Sequence, residues 1–125
     1  MSGNTPDFVE HVVSQLSGIS RLSQARFFGG TGLWADGLQF ALLMGNTLYF
    51  CVDDRSRPLY EAMGSSHFRY TTAKRVIEVR KYCEVPAEVL DDGERLLALA
   101  QEAVVSARAL RPPTMKAVKR KAASP

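Results

Sequence analysis

Two acid pairs, Asp53-Asp54 and Asp91-Asp92, two histidines, His11 and His67, and two cysteines, Cys51 and Cys83, are the residues here whose types could carry chemistry. Paired carboxylates can trade protons or hold a divalent metal; a cysteine or histidine can be nucleophile, base or ligand. Their placement argues against such roles. Each acid pair stands where a helix is expected to begin, and a side-chain oxygen there caps free backbone N–H groups with no further function. His11 falls on the polar side of an amphipathic helix, four residues after Asp7, and is read as solvated beside it. Cys51 and Cys83 lie far apart, in strand patterns with no histidine close by, so they are expected to be buried, reduced and free of metal. No Ser/His/Asp set stands out. The sequence predicts no catalytic residue, no metal ligand and no cofactor.

Two further patterns invite a binding role. Gly29, Gly30 and Gly32 could cradle a phosphate, but a phosphate loop must open a helix, and Leu33-Trp34 continues a strand. A glycine bend between strands is the better reading. Arg69, Lys74, Arg75, Arg80 and Lys81, with Tyr70 and Tyr82 among them, form a basic and aromatic set of the kind that stacks on single-stranded nucleic acid. A charged edge strand, protected against aggregation, explains the same residues more simply.

Charge supports the simpler reading. The chain of 125 residues has 16 Lys+Arg and 13 Asp+Glu, a formal +3. Six of the cations stand at or after Arg108, with no acid among them, which leaves 10 against 13 and a body of −3. Residues 111–125, rich in Lys, Ala, Ser and Pro, are expected to form a disordered basic tail after a domain of residues 1–110. Within that tail Lys116, Lys119, Arg120 and Lys121 suit weak, salt-sensitive contact with nucleic acid, or serve solubility alone. No apolar run approaches the roughly 18 residues of a membrane helix. The first residues lack the basic start and apolar core of a signal peptide, so a cytoplasmic protein is expected.

The elements that would position these residues read as α+β. Thr5-Pro6-Asp7 starts a helix with Phe8, Val9, Val12, Val13 and Leu16 on its apolar face and Gly18 as its cap. From Leu22 to Val52 the period shifts to two, predicting an antiparallel meander with strands Leu22–Phe28, Thr31–Ala35, Leu38–Met44 and Thr47–Val52. Asp36-Gly37 suits a type I′ turn and Gly45-Asn46, with glycine first, a type II′ turn. Leu38, Phe40, Leu42 and Met44 are expected inward, opposite Gln39, Ala41 and Leu43. A helix follows from near Ser56 to Met63, closed by Gly64. A strand over Arg75–Tyr82 places Ile77 and Val79 on one face and Val76, Glu78, Arg80 and Tyr82 on the other. Pro86–Leu90 forms a helical turn, and Asp91-Asp92-Gly93-Glu94 opens a last helix to Leu110 with a stripe of Leu96, Leu99, Ala100, Ala103, Val104, Ala107 and Leu110.

The run from Arg26 to Phe40 resembles the N-terminal domain of the TfoX/Sxy family of bacterial competence regulators, where an Arg-Met-Phe-Gly-Gly-Tyr-Gly-Leu-Tyr-x-Asp-Gly segment stands out. Phe27 takes the place of its methionine, Thr31 of its first tyrosine and Trp34 of its second. Asn46–Asp53, Glu61–Ser65, Phe68-Arg69-Tyr70 and Tyr82–Pro86 resemble further family segments in order, with Cys83 where a second aromatic is common. The resemblance spans Phe8 to Leu110 and implies a stand-alone form of that domain: a non-enzymatic regulatory module linked to transcription control of competence or related genes. It implies a protein partner, either the transcription machinery or a regulator, with a homodimer also compatible. The alternative is a nucleic-acid-associated accessory protein acting through its tail.

Overall fold

The computed structural model describes residues 4–110; Lys116, Lys119, Arg120 and Lys121 lie outside them. The first helix, α1 (Pro6–Gln15), begins where Thr5 Oγ1 accepts the Phe8 N–H at 3.2 Å and Pro6 fills the first turn. It ends at Leu16 rather than Gly18, which instead packs close to Leu97. Asn4 and Asn46 clamp its start to the sheet: Asn46 N–H donates to Asn4 Oδ1, and Thr5 N–H to Asn46 Oδ1, both at 2.9 Å.

Four strands follow as an antiparallel meander: β1 (Leu22–Phe27), β2 (Gly30–Ala35), β3 (Leu38–Met44) and β4 (Thr47–Cys51). Their three connections are two-residue turns: Phe28-Gly29 (φ 50° and 83°), Asp36-Gly37 (52° and 82°) and Gly45-Asn46 (58° and 60°). Positive φ at both central positions is the type I′ signature, so Gly45-Asn46 is corrected from type II′, which needs it only at the first. Gly30 leaves no room for a side chain, since a Cβ there would lie 2.3 Å from the Leu43 carbonyl oxygen.

The chain then forms α2 (Arg57–Ala62), β5 (His67–Thr71), β6 (Val76–Glu84), α3 (Ala87–Leu90) and α4 (Gly93–Leu110). The strands make one six-stranded sheet, in the order β1-β2-β3-β4-β6-β5, so β1 and β5 are its edges. One row of cross-strand neighbours, Leu33, Ala41, Phe50 and Cys83, is wholly buried; the next row is Gly32, Leu42, Tyr49 and Glu84. Neighbours across strands share a face. The first row meets the helical layer, where α4 lies on β3 and β4 through Leu96, Ala100, Ala103 and Ala107. The alanines permit that close approach; Ser106, also buried, bonds Ser56 of the α2 start at 3.1 Å.

Two expectations on side-chain facing are corrected. Ala41 and Leu43 are as buried as Phe40 and Leu42: an extra residue, Phe40, sits between the pairings Trp34–Gln39 and Leu33–Ala41, and from Ala41 to Leu43, where the register is continuous, both faces of the sheet are covered. Tyr82, 5% exposed, lies with Val79 rather than on the face of Glu78 and Arg80, because the β5–β6 register jumps from His67–Cys83 to Phe68–Val79.

Gly30→Val should cost about 1–3 kcal/mol, since the added side chain collides with backbone that cannot move aside. Urea unfolding reads this as a lower midpoint; an unchanged midpoint would show that the β2–β3 approach is not as tight as described.

Candidate functional site

Residues that the sequence marked for chemistry are dispersed by the fold. Asp53 Oδ1 accepts the Ser56 N–H at 3.0 Å and the Arg55 N–H at 3.2 Å, capping the turn into α2; these bonds hold its carboxyl below the usual range against the opposing effect of burial. Asp54 pairs with Arg57 at 2.7 Å. Asp92 Oδ1 accepts the Arg95 N–H and caps α4, while Asp91 lies 3.6 Å from His11 Nε2. The partner of His11 is therefore Asp91, brought close by the fold, and not Asp7. Both cysteines are buried and unbridged, and burial pushes each thiol up to about 11.

His67 has the most pointed setting of the titratable groups. Its Nδ1 lies 2.6 Å from Glu78 Oε2, a bond that draws the Glu78 carboxyl below its ordinary value. Its Nε2 faces a second carboxylate, Glu61 of α2, at 3.7 Å. Neither His67 Nε2 nor Ser65 Oγ has a hydrogen-bond partner among the described residues. His67 thus ties α2 to the β5–β6 hairpin.

The face of the sheet away from the helices carries the distinctive surface. Tyr49 meets Phe68 edge-on with ring centroids 5.1 Å apart, Phe68 lies 6.1 Å from Tyr70, and Tyr70 lies 6.4 Å from Phe28, stacked at 26°. Phe27 stands 4.5 Å from Phe28. Phe28 belongs to the β1–β2 turn and Tyr70 to β5, so the aromatic chain joins opposite edges of a six-stranded sheet. The sheet curls until its edges nearly meet. Between them runs a cleft in two parts. The outer part, about 520 Å³, is lined by Phe28, Met44, Phe68, Arg69, Tyr70 and Thr71. The inner part, about 190 Å³, adds Gln39, Leu42, Val79, Lys81 and Tyr82. Gly32 shapes the floor nearby, since a Cβ on it would lie 2.7 Å from the Trp34 ring.

Phe28 is unusual twice over. It is 80% exposed, the most of any large apolar side chain among the described residues, and it holds φ of 50°. Left-handed backbone costs a bulky residue about 1–2 kcal/mol, and glycine or asparagine would occupy that turn position at less cost. Tyr70, beside it, is 45% exposed. Strain of this kind, held at an exposed position, is commonest at binding sites. The basic-aromatic set is divided by the fold: Arg69, Tyr70, Lys81 and Tyr82 line the cleft, whereas Arg80 gives its carbonyl to Arg57. The sequence reading missed Phe28, whose Phe-Gly dipeptide lies between two apolar runs as a turn should.

Among the described residues no group of three or more His, Cys, Asp or Glu is placed to hold a metal ion, and no helix is long and apolar enough to cross a membrane. The family model of the TfoX N-terminal domain matches residues 14–107. No curated protein matches the chain.

Phe28→Gly relieves the turn strain and gives up only exposed packing, so its thermal midpoint should stay within about 3 °C of wild type. Differential scanning calorimetry checks this. A loss of 8 °C or more would make Phe28 a structural keystone rather than a residue kept for contact.

Proposed function

The chain belongs to the TfoX N-terminal domain family, and from that membership we propose that it is a non-enzymatic regulatory module of the cytoplasm, linked to transcription control of competence or related genes and acting through contact with another protein. The observation that carries this reading is the exposed, strained Phe28 facing Tyr70 across the cleft. Aromatic residues set in a partly enclosed patch, with methionine and arginine beside them, have the composition of protein-contact hot spots. What supports the non-enzymatic part is the use made of the titratable residues: the acids cap helices or form ion pairs, and His67 lies between two carboxylates, tying α2 to the hairpin. Lys116, Lys119, Arg120 and Lys121 add a weak, salt-sensitive contact with nucleic acid, favoured by the concentration of cations beyond Arg108.

The test is made in the native cell. A strain lacking the gene is complemented with wild type or with Phe28→Gly/Tyr70→Ser, at matched protein levels, and competence-gene transcripts are measured. Deletion should change those transcripts several-fold; wild type should restore them and the double variant should not. Transcripts indifferent to deletion would refute the regulatory role, and full restoration by the double variant would remove the cleft from it.

A further inference from the structure

The cleft is charged as well as aromatic. From His67 to Glu84 the β5–β6 hairpin carries Arg69, Lys74, Arg75, Arg80 and Lys81 against Glu78 and Glu84, five cations to two acids. Residues 1–107 as a whole have the opposite balance, 10 Lys+Arg against 13 Asp+Glu. Glu78 is engaged by His67, and Glu84 lies across from Tyr49. Lys81, at the inner part of the cleft, has no ion-pair partner among the described residues, whereas Arg69 touches the outer part but leaves β5 on the face of Glu78, its cross-strand neighbour. At the inner end Gln39 Nε2 is buried with no hydrogen-bond partner. An amide in that state is costly, and an acceptor brought by a ligand would satisfy it.

Shape narrows the occupant. The inner part, about 190 Å³, has room for one large side chain, given that a water takes about 30 Å³. Phe28 and Tyr70 offer the most open ring faces among the described aromatics, whereas Phe68 is 4% exposed and Tyr82 5%. A single-stranded nucleic acid would need successive rings on which successive bases stack, together with a cationic track for its backbone. This cleft offers one pair of well-exposed rings and a single lysine, with no cationic track. The chain's own residues 111–125, with five cations and no acid, carry the wrong charge for it.

We propose that the cleft binds an acidic segment of a partner protein through a single aromatic side chain flanked by carboxylates. The ring enters beside Phe28 and Tyr70 toward Leu42 and Phe68, a flanking carboxylate meets Lys81, and Gln39 Nε2 donates to a carbonyl of the segment. This rests on the protein-contact reading above and specifies its partner. Exposed ion pairs of this kind add little affinity individually but select the sign of the partner.

Fluorescence anisotropy with the full chain tests it, using a labelled short peptide with a central Phe between Asp and Glu residues. Its controls are the Phe→Ala peptide, a Lys-flanked peptide and an oligothymidylate of equal length. The acidic Phe peptide should bind, more weakly as salt rises. Phe28→Gly or Lys81→Glu should weaken it about tenfold. Gln39→Leu should weaken it several-fold without lowering the melting temperature, because the amide it removes is unpaired in the free protein. The inference is overturned if the Ala or Lys-flanked peptide binds equally, if the oligothymidylate binds more tightly with the same dependence on Phe28, or if no acidic peptide binds. It is also overturned if Phe28 is masked by a second copy at the assay concentration, read as a dimer by light scattering that Phe28→Gly abolishes. Failure here, with transcripts still dependent on Phe28 and Tyr70, sinks the acidic partner alone; peptide binding with indifferent transcripts sinks the regulatory role alone.

Discussion

One sheet with two apolar faces has a single layer of helix to cover it, and the architecture answers to that imbalance. The row Leu33, Ala41, Phe50 and Cys83 is sealed by the helical layer through α4. The opposite side, with Leu42, Tyr49, Phe68 and Tyr82, has no helix over it among the described residues. It is covered by the sheet's own curvature, which brings the turn after β1 against β5. Antiparallel strands twist in a fixed sense, and a bulge strengthens twist and bend locally. The extra residue at Phe40 in the sheet's middle and the register jump at Phe68 near its edge are placed to do this. Curling alone does not close the face. It leaves a cleft whose rim is aromatic because those side chains are long enough to reach across.

Stability and binding then draw on different parts of the same face. Phe68 and Tyr82 are buried at its floor and belong to the core, whereas Phe28 and Tyr70 stand at its rim with their rings open. Phe28 holds a backbone conformation that suits glycine better, so its side chain is kept at some cost to the fold. The charges divide similarly. Acids concentrate on α1, α2, α3 and α4 and the segments leading into them, where they cap and pair, while the hairpin beside the cleft is cationic. A body that is acidic overall therefore presents a locally basic, aromatic opening, which selects a partner more by sign and shape than by area.

Much of the fold was legible because its local signals agree with each other. β3 has the boundaries its alternation suggested, Asp36-Gly37 makes the turn its residues favour, and α4 begins at Gly93, within the Asp91-Asp92-Gly93-Glu94 segment expected to open it. The N-terminal domain resemblance is matched by the family model over residues 14–107. What could not be read depends on tertiary context. Phe28 looked like the end of a strand, since nothing in its type suggests positive φ. Alternation groups Tyr82 with Glu78 and Arg80, because it cannot anticipate a register jump set by the partner strand. Pairing of His11 with Asp91 joins residues that only the docking of α1 beside the start of α4 brings together. The cleft itself is a consequence of curvature accumulated over six strands, which no local window of sequence contains.

The account stands on the two sheet edges meeting through Phe28 and Tyr70. Aromatic nuclear Overhauser spectroscopy measures that contact directly in solution. The expected result is cross-peaks between the Phe28 and Tyr70 ring protons, together with ring-current shifts of Tyr70 that disappear in Phe28→Gly. Absence of those cross-peaks, with Tyr70 signals unmoved by the substitution, would mean that the edges stand apart and that there is no cleft for a partner to fill.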